Sequence, residues 1–153
     1  MPRVLLLCGA PRSGKSPAAR RLAEPLGYDT VGIDDLVAAV RAVTTVASHP
    51  KIHATTGIDH RDYYIQNTAE TLCRQAMDAH RVIWPAIESI VRARSCSGSP
   101  AVIEGWAILP GLFFGADLPD VDACWLVADE PTPDAAGSHL IETSTAAPPT
   151  RRH

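Results

Sequence analysis

The chain reads as a three-layer α/β domain, a parallel sheet with helices on both faces. Three observations predict it. Short apolar runs alternate along the chain with longer helix-forming stretches. The runs are continuously apolar rather than alternating, as in strands covered on both faces. Polar and charged residues gather just after the runs, at the sheet edge where open α/β sheets bind ligands.

The first run is Val4-Leu5-Leu6-Leu7-Cys8, a buried strand. Ala18 to Glu24 is rich in helix formers, and Gly27 supplies the stop. Tyr28 to Ile33 is a second strand, ending in Asp34-Asp35. Leu36 to Val46 is rich in Ala and Val and is expected to be helical. Ser48 to Asp62, with Pro50 and Gly57, reads as a loop. Thr68 to Arg94 has helical period, with Leu72, Ala76, Ala79 and Ile83 on one stripe and Ile87, Ile90 and Val91 continuing it. Pro85 is expected to kink or split this helix, and Trp84 to join the core, with His80 one turn away to pack on it. Ser95 to Pro100 is a turn cluster. Ala101 to Gly105 is a third strand, Pro110-Gly111 and Pro119 punctuate a loop and short helix, and Val121 to Val127 is a fourth strand. The domain is expected to span residues 1–130. Residues 131–153, with four prolines and no apolar period, are expected to form a disordered tail.

Residues 9–16 read GAPRSGKS, the pattern G-x-x-x-x-G-K-[ST]. Gly9 and Gly14 let the backbone curl so that N–H groups point inward, and Ala10, Pro11, Arg12 and Ser13 complete the loop. Lys15 supplies a positive charge for the β- and γ-phosphates of a nucleoside triphosphate, and Ser16 a hydroxyl for Mg²⁺. The context supports the motif: a strand precedes it and a helix N-terminus, which attracts anions, follows. Pro17 stands where such loops commonly carry Thr. Proline is tolerated in a first helical turn but has no N–H to give to phosphate, so weaker binding is expected. The predicted sheet is therefore of the P-loop NTPase type.

Composition narrows the alternatives. The chain has 153 residues, enough for one domain with a core. A net charge of −3 argues against a nucleic-acid or membrane surface, so phosphate affinity must be local. No apolar run is long enough to span a bilayer, and the start of the chain carries no signal-peptide pattern. Cys8, Cys73, Cys96 and Cys124 form no C-x-x-C pair, and the six histidines show no ligand spacing. A reducing cytoplasm, with no disulfide and no zinc, is the reading, and the histidines are expected at the surface or hydrogen-bonded.

Beyond the loop, three carboxylates fall at the same sheet edge. Asp34 or Asp35 could take or orient the proton of an acceptor hydroxyl. Alternatively Asp34 caps the following helix and Asp35 is a solvated first-turn acid. Glu104 could hold Mg²⁺ through water, or could be a strand-end carboxylate bonded to nearby backbone. Arg12 touches phosphate or faces solvent; its position in the loop leaves both open.

Taken together, GAPRSGKS, VGIDDL, AVIEGWAILPG and CWLVADE resemble the small P-loop kinases that include 2-phosphoglycerate kinase, zeta toxin and the polynucleotide 5′-kinases, a group often described as AAA-family ATPases. The VIEG-x-x-ILPG stretch and the Trp84 to Glu88 segment are closest to the 2-phosphoglycerate-kinase type. The resemblance covers about residues 1–130 and implies ATP and Mg²⁺ as cofactors, a small-molecule hydroxyl as acceptor and Asp34 as base. It also implies a lid bearing arginines and a fifth strand after the fourth. CWLVADE runs instead into PTPDAAG and a tail whose Arg151 and Arg152 are poor substitutes, so the final strand and lid are expected to be missing. The first expectation is a kinase for a small metabolite. A non-catalytic nucleotide-binding remnant and, more weakly, a polynucleotide 5′-kinase are the alternatives. The acceptor, the choice of ATP over GTP and the oligomeric state are not encoded in any motif of the sequence.

Overall fold

The computed structural model describes residues 1–127. The element order is β1 (Val4–Gly9), α1 (Lys15–Leu26), β2 (Asp29–Gly32), α2 (Ile33–Val43), α3 (His60–Gln66), α4 (Ala69–Cys96), β3 (Ala101–Gly105), α5 (Pro110–Phe114) and β4 (Val121–Leu126). The four strands form one sheet in the order β2-β3-β1-β4, and every pairing is parallel. The expected tail at 131–153, and with it the expected loss of a lid and final strand, lies outside the described residues.

The apolar runs behave as strands covered on both faces. Val4, Leu6 and Cys8 of β1, with Ala101 and Ile103 of β3, join Ile83, Ile87 and Val91 of α4 and Ile33 of α2 on one face. Leu7 and Val102 point the other way, onto Ala19 and Ala23 of α1. The small alanines let α1 lie close to the sheet. This gives the three layers: α1, the sheet, and the α2 and α4 layer.

Register brings the strand ends level. Val4 sits beside both Ala101 and Val121, Cys8 beside Gly105 and Trp125, and Gly32 beside Glu104. The chain leaves β1 into α1 on one face. It leaves β3 toward α5, whose Leu112 and Phe113 pack on the opposite core. Adjacent strands whose connections diverge to opposite faces open a crevice at their carboxyl ends. The crevice here lies between Gly9 and Glu104.

Three expectations are corrected. Pro85, expected to kink or split the helix, does not split α4, which is one helix of 28 residues. Ile83 and Trp84 before it and Ile87 and Val91 after it are held by one core, while Pro85 itself is exposed. The carbonyl of Arg81, which loses its helical donor, lies on that exposed side. The second helix begins at Ile33, not Leu36, so β2 is only four residues long and Asp34 and Asp35 lie in the first turn of α2. Within the stretch read as a loop, α3 starts at His60, capped by Asp59, which accepts from the N–H groups of Arg61 and Asp62. That short helix carries no apolar period long enough to reveal it. Elsewhere the limits agree closely: β3 covers Ala101–Gly105, and Gly27 ends α1 in the left-handed conformation at φ 64°. Among the described residues, no helix is long and apolar enough to cross a membrane.

Candidate functional site

The loop between β1 and α1 is tightly curled. Gly9, Arg12 and Gly14 take positive φ values of 141°, 65° and 83°. Gly9 has a second reason to be glycine: a Cβ there would stand 2.4 Å from the carbonyl oxygen of Leu126 in β4. The loop can turn off β1 at this point only because no side chain intervenes. Gly14 is the N-cap of α1 and makes no side-chain cap bond. The first-turn N–H groups of α1 therefore have no side-chain cap. Pro17 occupies that turn, where its missing N–H breaks no helical bond, although it removes one donor from the turn.

Lys15 is nearly fully buried, and its Nζ donates 2.6 Å to the carbonyl of Ala10. The ammonium thus reaches back across the loop. Ser13 Oγ is buried in the same loop with no hydrogen-bond partner among the described residues. An orphaned hydroxyl and a cation held by one carbonyl among the described residues fit an oxyanion. Arg12, by contrast, is exposed. Beneath the loop, burial pushes the Cys8 thiol up to about 12, the nearby Cys124 adds to the rise, and Lys15 opposes it.

Ser16 and Glu104 meet. Ser16 Oγ donates 2.8 Å to Glu104 Oε1, joining the start of α1 to the end of β3. Gly32 lies beside the pair: a Cβ there would be 3.9 Å from Glu104 Oε1 and 3.6 Å from Asp35 Oδ2. The structure therefore gathers Ser16, Glu104 and Asp35 at one spot. Asp34 is exposed on the same helical turn and does not cap it, because the N-cap is Gly32. The capping alternative for Asp34 is thereby removed. No group of three or more His, Cys, Asp and Glu side chains arranged for a metal ion occurs among the described residues. A cation at Ser16 and Glu104 would need further oxygen ligands from elsewhere, such as phosphate and water.

Two adjoining cavities open on the α4 side of the sheet, and the smaller of them borders the loop. The smaller, about 370 Å³, runs from Gly9, Ala10 and Pro11 to Trp106 and Trp125. The larger, about 510 Å³, lies among α2, α3 and α4. They share Cys73, Ala76, His80 and Trp106. Neither Asp34 nor Asp35 lines them.

His80 is the residue that sequence reasoning missed. It is only 6% exposed, yet neither Nδ1 nor Nε2 has a hydrogen-bond partner among the described residues. It packs edge-to-face on Trp106, with centroids 4.3 Å apart, rather than on Trp84. The expectation of a surface or hydrogen-bonded histidine fails here. The signal was present: His80 continues the stripe of Leu72, Ala76 and Ile83, which places it inward. The four cysteines are free, with Cys8 buried and the other three exposed.

No protein-family model matches the chain, and no curated protein matches it either.

Proposed function

We propose that the chain is a P-loop phosphotransferase that binds Mg²⁺-ATP and transfers its γ-phosphate to a hydroxyl of a small metabolite. The carrying observation is the GAPRSGKS loop at the β1–α1 junction, with buried Lys15 turned back over it and the Ser13 hydroxyl left without a partner. Phosphate oxygens would take the place of the Ala10 carbonyl at Lys15 and satisfy Ser13. Ser16 would hold Mg²⁺, with Glu104 behind it. The metal, when bound, neutralises charge on the phosphates.

The Lys15 side chain is buried at the base of an otherwise mostly exposed loop, and an ion pair made where the ammonium is shielded from water is stronger than one at the surface. Asp34, exposed in the first turn of α2, would engage the acceptor proton, while Asp35, near Glu104, would support the metal side. The net charge of −3 does not favour a polynucleotide acceptor.

The test is calorimetric titration of Mg²⁺-ATP into the parent and into Lys15→Ala. Binding by the parent that falls at least tenfold in the variant supports the reading, since a charge-assisted bond contributes about 1.5–3 kcal/mol. A folded parent that does not bind would overturn it. Binding without ADP release on any acceptor would favour a non-catalytic nucleotide-binding module, and Pro17 is the feature consistent with that outcome.

A further inference from the structure

We infer that the 510 Å³ cavity is a binding site for a neutral hydroxyl compound with an aromatic or branched apolar body, held through its hydroxyl by His80. That its occupant is the phosphate acceptor rests on the phosphotransfer reading above; the chemistry of the site does not.

Three observations carry this. The first is His80 itself. Leaving both ring nitrogens of a buried imidazole without partners costs free energy, and native interiors rarely do so without a ligand or water to satisfy them. His80 stands in the wall common to both cavities, so a group bound to it faces the larger one while lying on the way to Gly9, Ala10 and Pro11 of the loop.

The second is the lining. Ile52, Leu72, Ile83, Tyr63, Tyr64 and Trp106 supply apolar and aromatic surface around a volume suited to a compact ring or branched chain. The third is the state of the cations. Arg41 donates through Nε and Nη2 to the carbonyl of Ile52, and again to Thr55 Oγ1. Lys51 is paired with Asp78 at 3.2 Å. Both cations lining the cavity are already committed, so a carboxylate or phosphate on the ligand would have to break those bonds. Of the polar groups lining it, His80 is the buried one that lacks a partner. Burial also holds its pKa below the ordinary value, so near pH 7 the ring is neutral, with one nitrogen to donate and one to accept. A hydroxyl, which both donates and accepts, matches it.

Cys73 gives a readout that needs no variant. It is exposed and lines both cavities, whereas Cys96, also exposed, lines neither. The full chain is alkylated with iodoacetamide and each cysteine's rate is followed by peptide mass spectrometry, with and without benzyl alcohol, 2-phenylethanol, ethylbenzene or glycerate 2-phosphate. The expected result is that the two alcohols slow Cys73 at least fivefold near saturation and leave Cys96 unchanged. Ethylbenzene, lacking the hydroxyl, should bind about fivefold more weakly than 2-phenylethanol, the factor for one hydrogen bond. In His80→Phe that difference should vanish. Nitrogen NMR of the His80 ring in the parent gives the same answer should the variant not fold: 2-phenylethanol should shift it and ethylbenzene should not. Unchanged Cys73 rates with both alcohols, or protection by glycerate 2-phosphate alone, would overturn the inference. Protection by an alcohol that supports no ADP release with bound Mg²⁺-ATP would leave the site standing and remove the acceptor role. Failure to bind Mg²⁺-ATP would instead strike the phosphotransfer reading.

Discussion

Replacing Gly105 with alanine tests how the site is assembled. Gly105 follows Glu104 at the end of β3, and Ile33, fully buried, immediately precedes Asp34 and Asp35. A Cβ on Gly105 would lie 2.6 Å from Ile33 Cβ, 2.9 Å from Cγ1 and 3.3 Å from Cγ2. Carbon atoms rest at about 3.5–4.0 Å, so the start of α2 must retreat by roughly 1 Å. Overpacking of this kind costs about 1–3 kcal/mol. For a domain of this size that lowers Tm by about 3–10 °C, measured by circular dichroism. Because the displaced turn carries both aspartates, under the phosphotransfer reading Gly105→Ala should also weaken Mg²⁺-ATP binding in the same preparation. The contact is isolated by a double-mutant cycle with Ile33→Ala, which alone costs about 2–5 kcal/mol through its cavity. Trimming Ile33 removes two of the three clashes, so the pair should be less destabilised than the sum of the singles by at least about 0.5 kcal/mol. Additive losses, or an unchanged Tm in Gly105→Ala, would show that the approach of α2 to β3 is not close.

Other outcomes follow from single contacts. Thr68 caps α4 by accepting from the Thr71 N–H, so Thr68→Ala should cost about 1 kcal/mol and lower Tm by a few degrees. His80 has a folded pKa depressed by burial, so the unfolded chain binds the extra proton first on acidification. Its contribution to stability is therefore full above about pH 6.5 and is lost as pH falls below that; urea titrations should show a steeper acid loss in the parent than in His80→Phe, and equal slopes would refute the burial argument. Under the phosphotransfer reading, Asp34→Asn should lower transfer about 100-fold or more with Mg²⁺-ATP affinity kept. Asp35→Asn, beside Glu104, should raise the Mg²⁺ concentration needed for binding, and isothermal titration across Mg²⁺ concentrations separates the two.

The parallel sheet was legible because β1 and β3 are short apolar runs without alternation, the pattern of strands covered on both faces. The loop was legible because its glycines and Lys15 have backbone and charge requirements visible at fixed spacing. The start of α2 was misplaced because Asp34 and Asp35 look like a strand end when read locally. What pulls Ile33 into the helix is its tertiary seat on Gly105, some 70 residues away. The continuity of α4 through Pro85 was hidden for a similar reason: propensity predicts a break, and packing on both sides of the proline overrides it. The pairing of His80 with Trp106, and the cavities they divide, needed the fold outright.

These failures share a cause that bears on function. The strand-end side of the crevice is built by what is missing: Gly9 and Gly105 let the Leu126 carbonyl and Ile33 come close to the strand ends. Requirements of that kind are absolute and leave a motif behind. The other side is built by helices α2, α3 and α4, whose inward residues need only be apolar and of fitting size. Many residues satisfy that condition, so no motif records it. Under the proposed reading, substituting Leu72, Ile52 or Tyr63 would change what the cavity accepts while leaving the GAPRSGKS loop untouched. His80 is the exception on that side, since a buried imidazole is neither a good core residue nor a surface one. Under the inference above, its place there is better explained by something it holds than by the packing it provides.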